Sequence, residues 1–393
     1  MNILFISSYY LFDKTRFGGS KRLYLLAKEL SKHADVSVIC LDACKEFGHR
    51  QTPSLPHPDF GHFLYLPWTD SRGVLAKILT SGIIIEDLLK TKHEIIRSFV
   101  SGKTYDAAFL AFPLGLSFLG TVIHPGSFPI VYAEDDLFLE KVRTESTSSA
   151  FGPFYQFVRM KQLLRFYRKK IAMCDTVIAI SVQEQEIFRK YFPSAHVELL
   201  GYGINLDHYP FLESLPGSFT LGFIGNFLHS PNCDAIHWFL NKVYPQIRIA
   251  IPGIRMVIAG HAVPDTLRQE FYDDASILWQ GEVADLKDFY SGISVFVNPI
   301  VSGRGMRTKL VEAAAFGRPI VSTRLGAEGS AGISIEIAED APGFAQSCQR
   351  FRDDAVYYKS TTLKNRSVIE EDYSAAVMGS RLLAILSRKT GNT

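Results

Sequence analysis

Residues 298–323, NPIVSGRGMRTKLVEAAAFGRPIVST, gather the densest set of chemistry-bearing side chains in the chain. Gly303 and Gly305 flank Arg304; Arg307, Lys309 and Glu312 follow in a helical stretch that starts near Met306 and is ended by Gly317 and Pro319. The order is strand, glycine loop, helix, turn, strand. A helix N-terminus carries about +0.5 of an elementary charge and unpaired N–H groups, and glycines let an anion approach the backbone. With three cations at the same end, the ligand this pattern suits is a diphosphate. Glu312 lies too far along to cap the helix, but a carboxylate at that distance can accept hydrogen bonds from a ribose diol. The plain alternative is a solvated basic patch with a Lys309–Glu312 pair at i, i+3, which would have no use for the glycine loop.

Three other places carry chemistry. Gly18 and Gly19 open a helix after the first strand and offer a second set of free amides; a simple N-cap is the competing reading. Glu134, Asp135 and Asp136 follow the apolar run PIVYA and could accept hydrogen bonds from sugar hydroxyls, or form a solvated turn with Asp136 as a cap. Residues 154–174 form a basic amphipathic helix, with Phe157, Met160, Leu164, Tyr167 and Ile171 on one face and Lys161, Arg165, Arg168 and Lys169 beside it. No acid interrupts residues 146–174, so the helix is a candidate for peripheral contact with anionic lipid or a phosphorylated acceptor; a helix half in core and half in solvent is the alternative. The 11 His show no metal-site spacing, so neither a metal nor another cofactor is expected.

The elements that must position these residues are legible in the hydrophobic pattern. A chain of 393 residues is long enough for two or three domains, and 47% apolar with 21% charged residues is an ordinary globular mixture. A net charge of +2 gives no chain-wide attraction to nucleic acid, which is not an expected partner. The five Cys are odd in number and scattered, and residues 1–17 lack a basic segment before a long apolar run; both point to the cytoplasm, at most peripheral to the inner face of a membrane. The uncharged stretch 107–133 is broken by Pro and Gly into pieces too short to span a bilayer.

Near-continuous apolar runs alternate with helical patterns, as parallel sheets buried on both faces require. In the first half these runs are 3–7, 36–41, 106–112, 129–133 and 176–180; in the second they are 221–225, 254–260, 277–281, 294–299 and 319–323. Residues 45–62 read as a loop, and the Gly- and Pro-rich stretch 201–218 as a flexible junction. The expected architecture is α/β: two doubly wound Rossmann-like domains, 1–205 and 206–375, facing across a cleft, with a terminal helix in 376–393 able to pack back on the first domain. Neither first strand is followed by G-x-G-x-x-G, and no Walker A motif occurs, so dinucleotide and P-loop chemistry are not expected.

The 303–313 segment, followed by Gly317, Pro319 and the Gly326-Ala327-Glu328-Gly329 loop, resembles the signature of retaining, nucleotide-sugar-dependent glycosyltransferases of the "group 1" kind, which have the GT-B fold. The resemblance extends to Gly18 and Gly19, to CDTVIAIS at 174–181, to GYGIN at 201–205 and to FIGNF with Pro231, Asn232, Asp234 and Ala235. It implies transfer of a sugar from a nucleoside diphosphate sugar to an acceptor hydroxyl, with the second domain holding the donor and the first the acceptor. Glu312 would hold the ribose, while Gly18, Gly19, Gly225, Asn226, Gly303, Arg304, Gly305 and Glu328 would line the donor site. Arg304 stands where the commoner E-x7-E pattern has its first Glu, and Asn226 and Pro231 stand where an Arg and a Lys are usual. Arg307 and Lys309 are therefore expected to take over the diphosphate charge and, with Asp135 at the family's His position, to be the catalytic residues. A non-catalytic sugar-nucleotide-binding subunit and a sugar-nucleotide epimerase are the alternative functions.

Overall fold

A computed structural model of the chain describes residues 1–11, 18–41, 57–66, 93–134, 152–213, 216–303 and 308–388. The chain divides into two compact units, Met1–Ile204 with Ala375–Thr393, and Asn205–Ser374.

The first unit is built on a parallel sheet of β1 (Asn2–Ser7), β2 (Asp35–Cys40), β3 (His62–Tyr65), β4 (Ala107–Ala111), β5 (Ile130–Ala133), β6 (Thr176–Ala179) and β7 (Val197–Leu199), in the order β3-β2-β1-β4-β5-β6-β7. Alternate residues of each inner strand enter two different cores. Ile3 and Phe5 face one, with Leu23, Leu26, Ala27 and Leu30 of α1 (Gly18–Ser31). Leu4 and Ile6 face the other, with Leu163, Phe166, Tyr167 and Ile171 of α2 (Gly152–Ile171). Burial on both sides is why the inner strands are near-continuous apolar runs. The uncharged stretch 107–133 resolves into β4, a short helix at Phe112–Leu116, turns and β5. No helix among the described residues is long and apolar enough to cross a membrane.

The second unit repeats the plan with β8 (Thr220–Asn226), β9 (Arg255–His261), β10 (Ile277–Gly281), β11 (Val295–Asn298), β12 (Ile320–Ser322) and β13 (Glu336–Ile337), in the order β10-β9-β8-β11-β12-β13. Helix α3 (Ser230–Trp238) follows β8, and α4 (Thr308–Ala315) follows β11. The last helix, α5 (Ala375–Leu386), belongs to the first unit, where Met378, Leu382, Ile385 and Leu386 join the core lined by α1. Each unit is thus a Rossmann-like layer of helices on a parallel sheet, as the apolar runs predict.

Three strands were not legible in the hydrophobic pattern. β3 lies partly inside the stretch read as loop, and β7 and β13 span only three and two residues. All three are sheet edges, with one neighbour each, and none is uniformly buried. The junction also differs from its expectation as one flexible stretch. Residues 205–213 are bound into the second unit: Arg318, 1% exposed, donates to the carbonyls of Tyr290 (2.8 Å) and Leu212 (3.1 Å), and Arg366 donates to those of Tyr209 (2.7 Å) and Ala315 (2.8 Å). On the other side, Ala375 N donates to the Ile204 carbonyl at 2.8 Å, within the first unit. The buried Arg318 and the half-buried Arg366, by satisfying main-chain carbonyls, give an irregular segment hydrogen bonds that a helix or strand would otherwise supply.

Candidate functional site

In the second sheet the strand order reverses between β8 and β11, so the chains leaving these neighbours diverge and open a crevice beyond their C-terminal ends. The two segments singled out in the sequence leave from those strands: Gly225 and Asn226 at the end of β8, and the glycine loop and α4 after β11. Their meeting point is Lys309. Its Nζ donates to Asn232 Oδ1 at 2.8 Å, across 77 residues, and stands 4.2 Å from the centroid of the Phe223 ring on β8. The aromatic face and the amide oxygen both favour the charged ammonium. Asn232, in the first turn of α3, also donates from Nδ2 to the Asn226 carbonyl at 2.7 Å.

The loop after β8 is a tight turn. Asn226 Oδ1 accepts from Leu228 N at 3.0 Å, so its side chain folds over its own backbone, and the Asn226 carbonyl also accepts from His229 N at 3.2 Å. Across the crevice Ser302 Oγ donates to Asp234 Oδ2 at 3.1 Å, tying the glycine loop to α3. Gly303 has φ of +84°, the left-handed region that glycine adopts without a Cβ clash. Arg304, Gly305 and Arg307 lie outside the described residues, so of the expected cations Lys309 alone can be placed.

Helix α4 is held at its far end by a glycine motif. Gly317, φ +75°, donates to Ala314 O at 3.0 Å, and Arg318 N donates to Ala313 O at 2.8 Å. A Cβ at Gly317 would also come within 2.5 Å of the Phe211 ring, so backbone and packing agree on glycine. Glu312, one turn past Lys309, is half-buried. Beneath it Tyr290 is fully buried and donates to the Lys309 carbonyl at 3.2 Å. Burial, and then the Glu312 charge, pushes the Tyr290 phenol well above its usual range.

Glu328 is half-buried in the loop after β12. That loop is fixed by Asn298, whose Nδ2 donates to the Gly326 carbonyl at 2.8 Å and to Ser322 Oγ at 3.2 Å, and by Thr323 Oγ1, which accepts from Gly326 N at 2.9 Å. Asn298, the Ser302–Asp234 tie and the hydrogen-bonding role of Asn232 were not identified from sequence. Asn232 and Asp234 stand in the motif that carries the resemblance, but nothing in their spacing says what they touch.

In the first unit, Gly18 and Gly19 open α1, and Ser20 Oγ donates to the carbonyl of Tyr10, three residues after β1. This is the switch-point side of that sheet, where the order reverses between β1 and β4. Asp135 and Asp136 lie outside the described residues. Glu134, read as a sugar-facing carboxylate, is instead 2% exposed and accepts from the hydroxyls of Tyr132 and Tyr167. Desolvation and this carboxylate hold both phenols well above their ordinary range. The face of α2 also differs from its expectation: Leu163, Phe166, Tyr167, Lys170 and Ile171 are buried, while Phe157 is 56% exposed on the side of Lys161, Arg165, Arg168 and Lys169. Among the described residues no group of three or more His, Cys, Asp or Glu could hold a metal ion.

Residues 218–354 match the family described as glycosyl transferases group 1. A curated relative, an uncharacterized 44.6 kDa protein in the cps region of Klebsiella pneumoniae, is 29% identical over 163 residues, 39% of this chain and 42% of that protein. Among solved structures, the chain is similar to a glycosyltransferase from Rickettsia africae (TM-score 0.68, 11% identity, 100% of this chain and 99% of that one). It is also similar to sucrose-phosphate synthase from Thermosynechococcus elongatus (0.66, 15%, 98% of each chain). A third similar structure is HepE of Anabaena in complex with UDP-glucose (0.63, 14%, 98% of this chain and 99% of that one). The two Rossmann-like units constitute a GT-B-like glycosyltransferase fold. Within it, the second unit carries the homology to glycosyl transferases group 1.

Proposed function

We propose that the protein is a retaining glycosyltransferase that moves a sugar from a nucleoside diphosphate sugar to an acceptor hydroxyl of a glycan, glycolipid or small molecule. The observation that carries this reading is the convergence of the Lys309 ammonium, the first turn of α4 and the loop after β8 at the switch point of the second sheet. A fixed cation and helix amides at such a crevice suit a diphosphate, and the half-buried Glu312 carboxylate one turn on suits a ribose diol. HepE, similar in fold, is described in complex with UDP-glucose.

Breaking the glycosyl–phosphate bond leaves negative charge on the departing diphosphate. Preorganised positive groups stabilise that charge more in the transition state than in the bound donor, and this is the role assigned to Lys309 and Arg307. The leaving phosphate can take the acceptor's proton, so no side-chain nucleophile is required. Asp135 is assigned to the sugar. The Gly18–Gly19 amides, at the switch-point end of the first sheet, are assigned to the donor's anionic portion.

The protein is read as making peripheral contact with a membrane through residues 154–174, with the acceptor left open. Support comes from the exposed stripe Phe157, Lys161, Arg165, Arg168 and Lys169 on a helix without an acidic residue. Among the described residues, free thiols at Cys174, Cys233 and Cys348 suit the reducing cytoplasm.

The test is incubation with a panel of UDP-, GDP- and ADP-sugars, with and without hydroxyl acceptors, following nucleotide release and the anomeric configuration of the product. Transfer with retained configuration is expected. Tight binding without turnover would instead make the protein a sugar-nucleotide-binding subunit, and an epimerised donor in the absence of acceptor would make it an epimerase.

A further inference from the structure

We propose that Asn232 is a positioning residue of the donor site, acting through Lys309. The inference rests on the donor-site reading above and extends it to a residue that need not touch the ligand. A lysine ammonium on a four-carbon stem is a mobile point charge, and at the edge of a crevice it gains little by preorganisation unless something holds it. Here the Asn232 carboxamide does so. Asn232 Oδ1 accepts from Lys309 Nζ at 2.8 Å, while Nδ2 is committed to the Asn226 carbonyl at 2.7 Å. The second bond fixes which end of the amide faces the lysine, because the Asn226 carbonyl can only accept.

The surroundings leave the amide little freedom. A Cβ added at Gly225 would lie 3.0 Å from Asn232 Cγ, so the side chain rests against the glycine at the end of β8. The Phe223 ring lies under the ammonium at 4.2 Å. Asn232 therefore ties α3, the end of β8 and the first turn of α4 into one unit. It delivers the charge of a lysine carried by α4 to the end of β8 and the start of α3, where Asn226 and Pro231 are themselves uncharged. An amide does this without cancelling the charge, as a carboxylate at the same position would.

The experiment is a double-mutant cycle read by titration calorimetry with UDP, GDP and ADP on the full chain, taking the nucleotide that wild type binds best. Asn232→Leu should weaken that nucleotide roughly tenfold, the cost of losing a hydrogen bond to a charged group. In a Lys309→Met background the same change should alter affinity less than twofold, because the group it positions is already gone. If Leu at 232 prevents folding, Asn232→Ala carries the same cycle. Wild-type affinity in the Asn232 variant, or an equal loss in both backgrounds, would overturn the positioning role while leaving the donor site standing. Failure of wild type to bind any of the three nucleotides would overturn the donor-site reading and the positioning role with it.

Discussion

The Lys309 ammonium stands 4.2 Å from the centroid of the Phe223 ring, which places a charge from α4 directly over the strand at the other side of the switch point. A cation held there by an aromatic face and an amide is preorganised before any ligand arrives. Arg307 precedes it by two residues in sequence, and both are assigned to charge that develops on the diphosphate. One preorganised group at such a site is typically worth about 2.7 to 4 kcal/mol of transition-state stabilisation. Arg307→Met should therefore slow turnover by roughly a hundredfold or more, with a smaller rise in donor KM, and Lys309→Met should act in the same sense but less strongly. Steady-state kinetics with donor and acceptor varied separately make the distinction. Loss of donor affinity at wild-type kcat would make these residues ground-state binders only.

Ribose and sugar contacts should separate by unit. Glu312→Ala is expected to weaken the bare nucleotide and the nucleotide sugar alike, whereas Asp135→Ala should spare the bare nucleotide. Calorimetry with both ligands on each variant gives the answer, and equal nucleotide affinity in wild type and Glu312→Ala removes the ribose assignment.

The Glu134 carboxylate, buried between Tyr132 and Tyr167, predicts a stability effect rather than a binding one. Glu134→Leu leaves two buried hydroxyls without this acceptor, at about 1 to 3 kcal/mol each. A lowered midpoint of denaturation with unchanged nucleotide affinity is the expected result. A variant as stable as wild type would show that the carboxylate does not anchor β5 to α2.

Alkaline pH should unfold the protein cooperatively. Tyr132, Tyr167 and Tyr290 are fully buried, with phenol pKa values raised well above the ordinary 10.0, by desolvation first and a neighbouring carboxylate second. Their folded forms keep the proton that the unfolded chain releases above about pH 10, so the stability they contribute is full below that pH and falls as pH rises toward the folded-state values. Each contributes a slope of about 1.4 kcal/mol per pH unit in that window. Denaturant midpoints measured from pH 8 to 11.5 should be flat and then fall, and the Tyr290→Phe variant should show a shallower decline.

Vesicle binding tests the exposed face of α2. Lys161→Glu with Arg165→Glu reverses two charges that lie mid-helix, where the helix dipole offers no reason for them. At about 1 kcal/mol per basic residue near an anionic surface, the double variant should lose at least tenfold in partition onto phosphatidylserine-containing vesicles, with neither protein binding pure phosphatidylcholine. Equal partition of both proteins on anionic vesicles would remove the membrane reading.

Much of the fold was legible because a doubly wound sheet writes itself into the chain locally. Ile3 to Ile6 and Leu221 to Ile224 are apolar at successive positions since both faces of the strand are covered, and that requirement acts through a few adjacent residues. Helix α4 was legible from equally local signals, with Gly317 ending the helix where its left-handed backbone is needed. β3, β7 and β13 were not, because an edge strand is covered less completely and its residues need not be apolar throughout. Nor could the sequence say that α5 belongs with α1, since its apolar face would suit either unit. Glu134 and Asp135 looked alike as carboxylates after a strand; only the positions of Tyr132 and Tyr167 made Glu134 an internal acceptor. The amino-acid sequence by itself singled out Lys309 and Glu312 as candidates for a nucleoside diphosphate and set them on a helix that follows a strand. Tertiary structure alone decided that β8 and β11 are neighbours, and it is this adjacency that brings Lys309 to Asn232 across 77 residues of chain, because a side chain's partners are set by strand order and not by distance along the sequence.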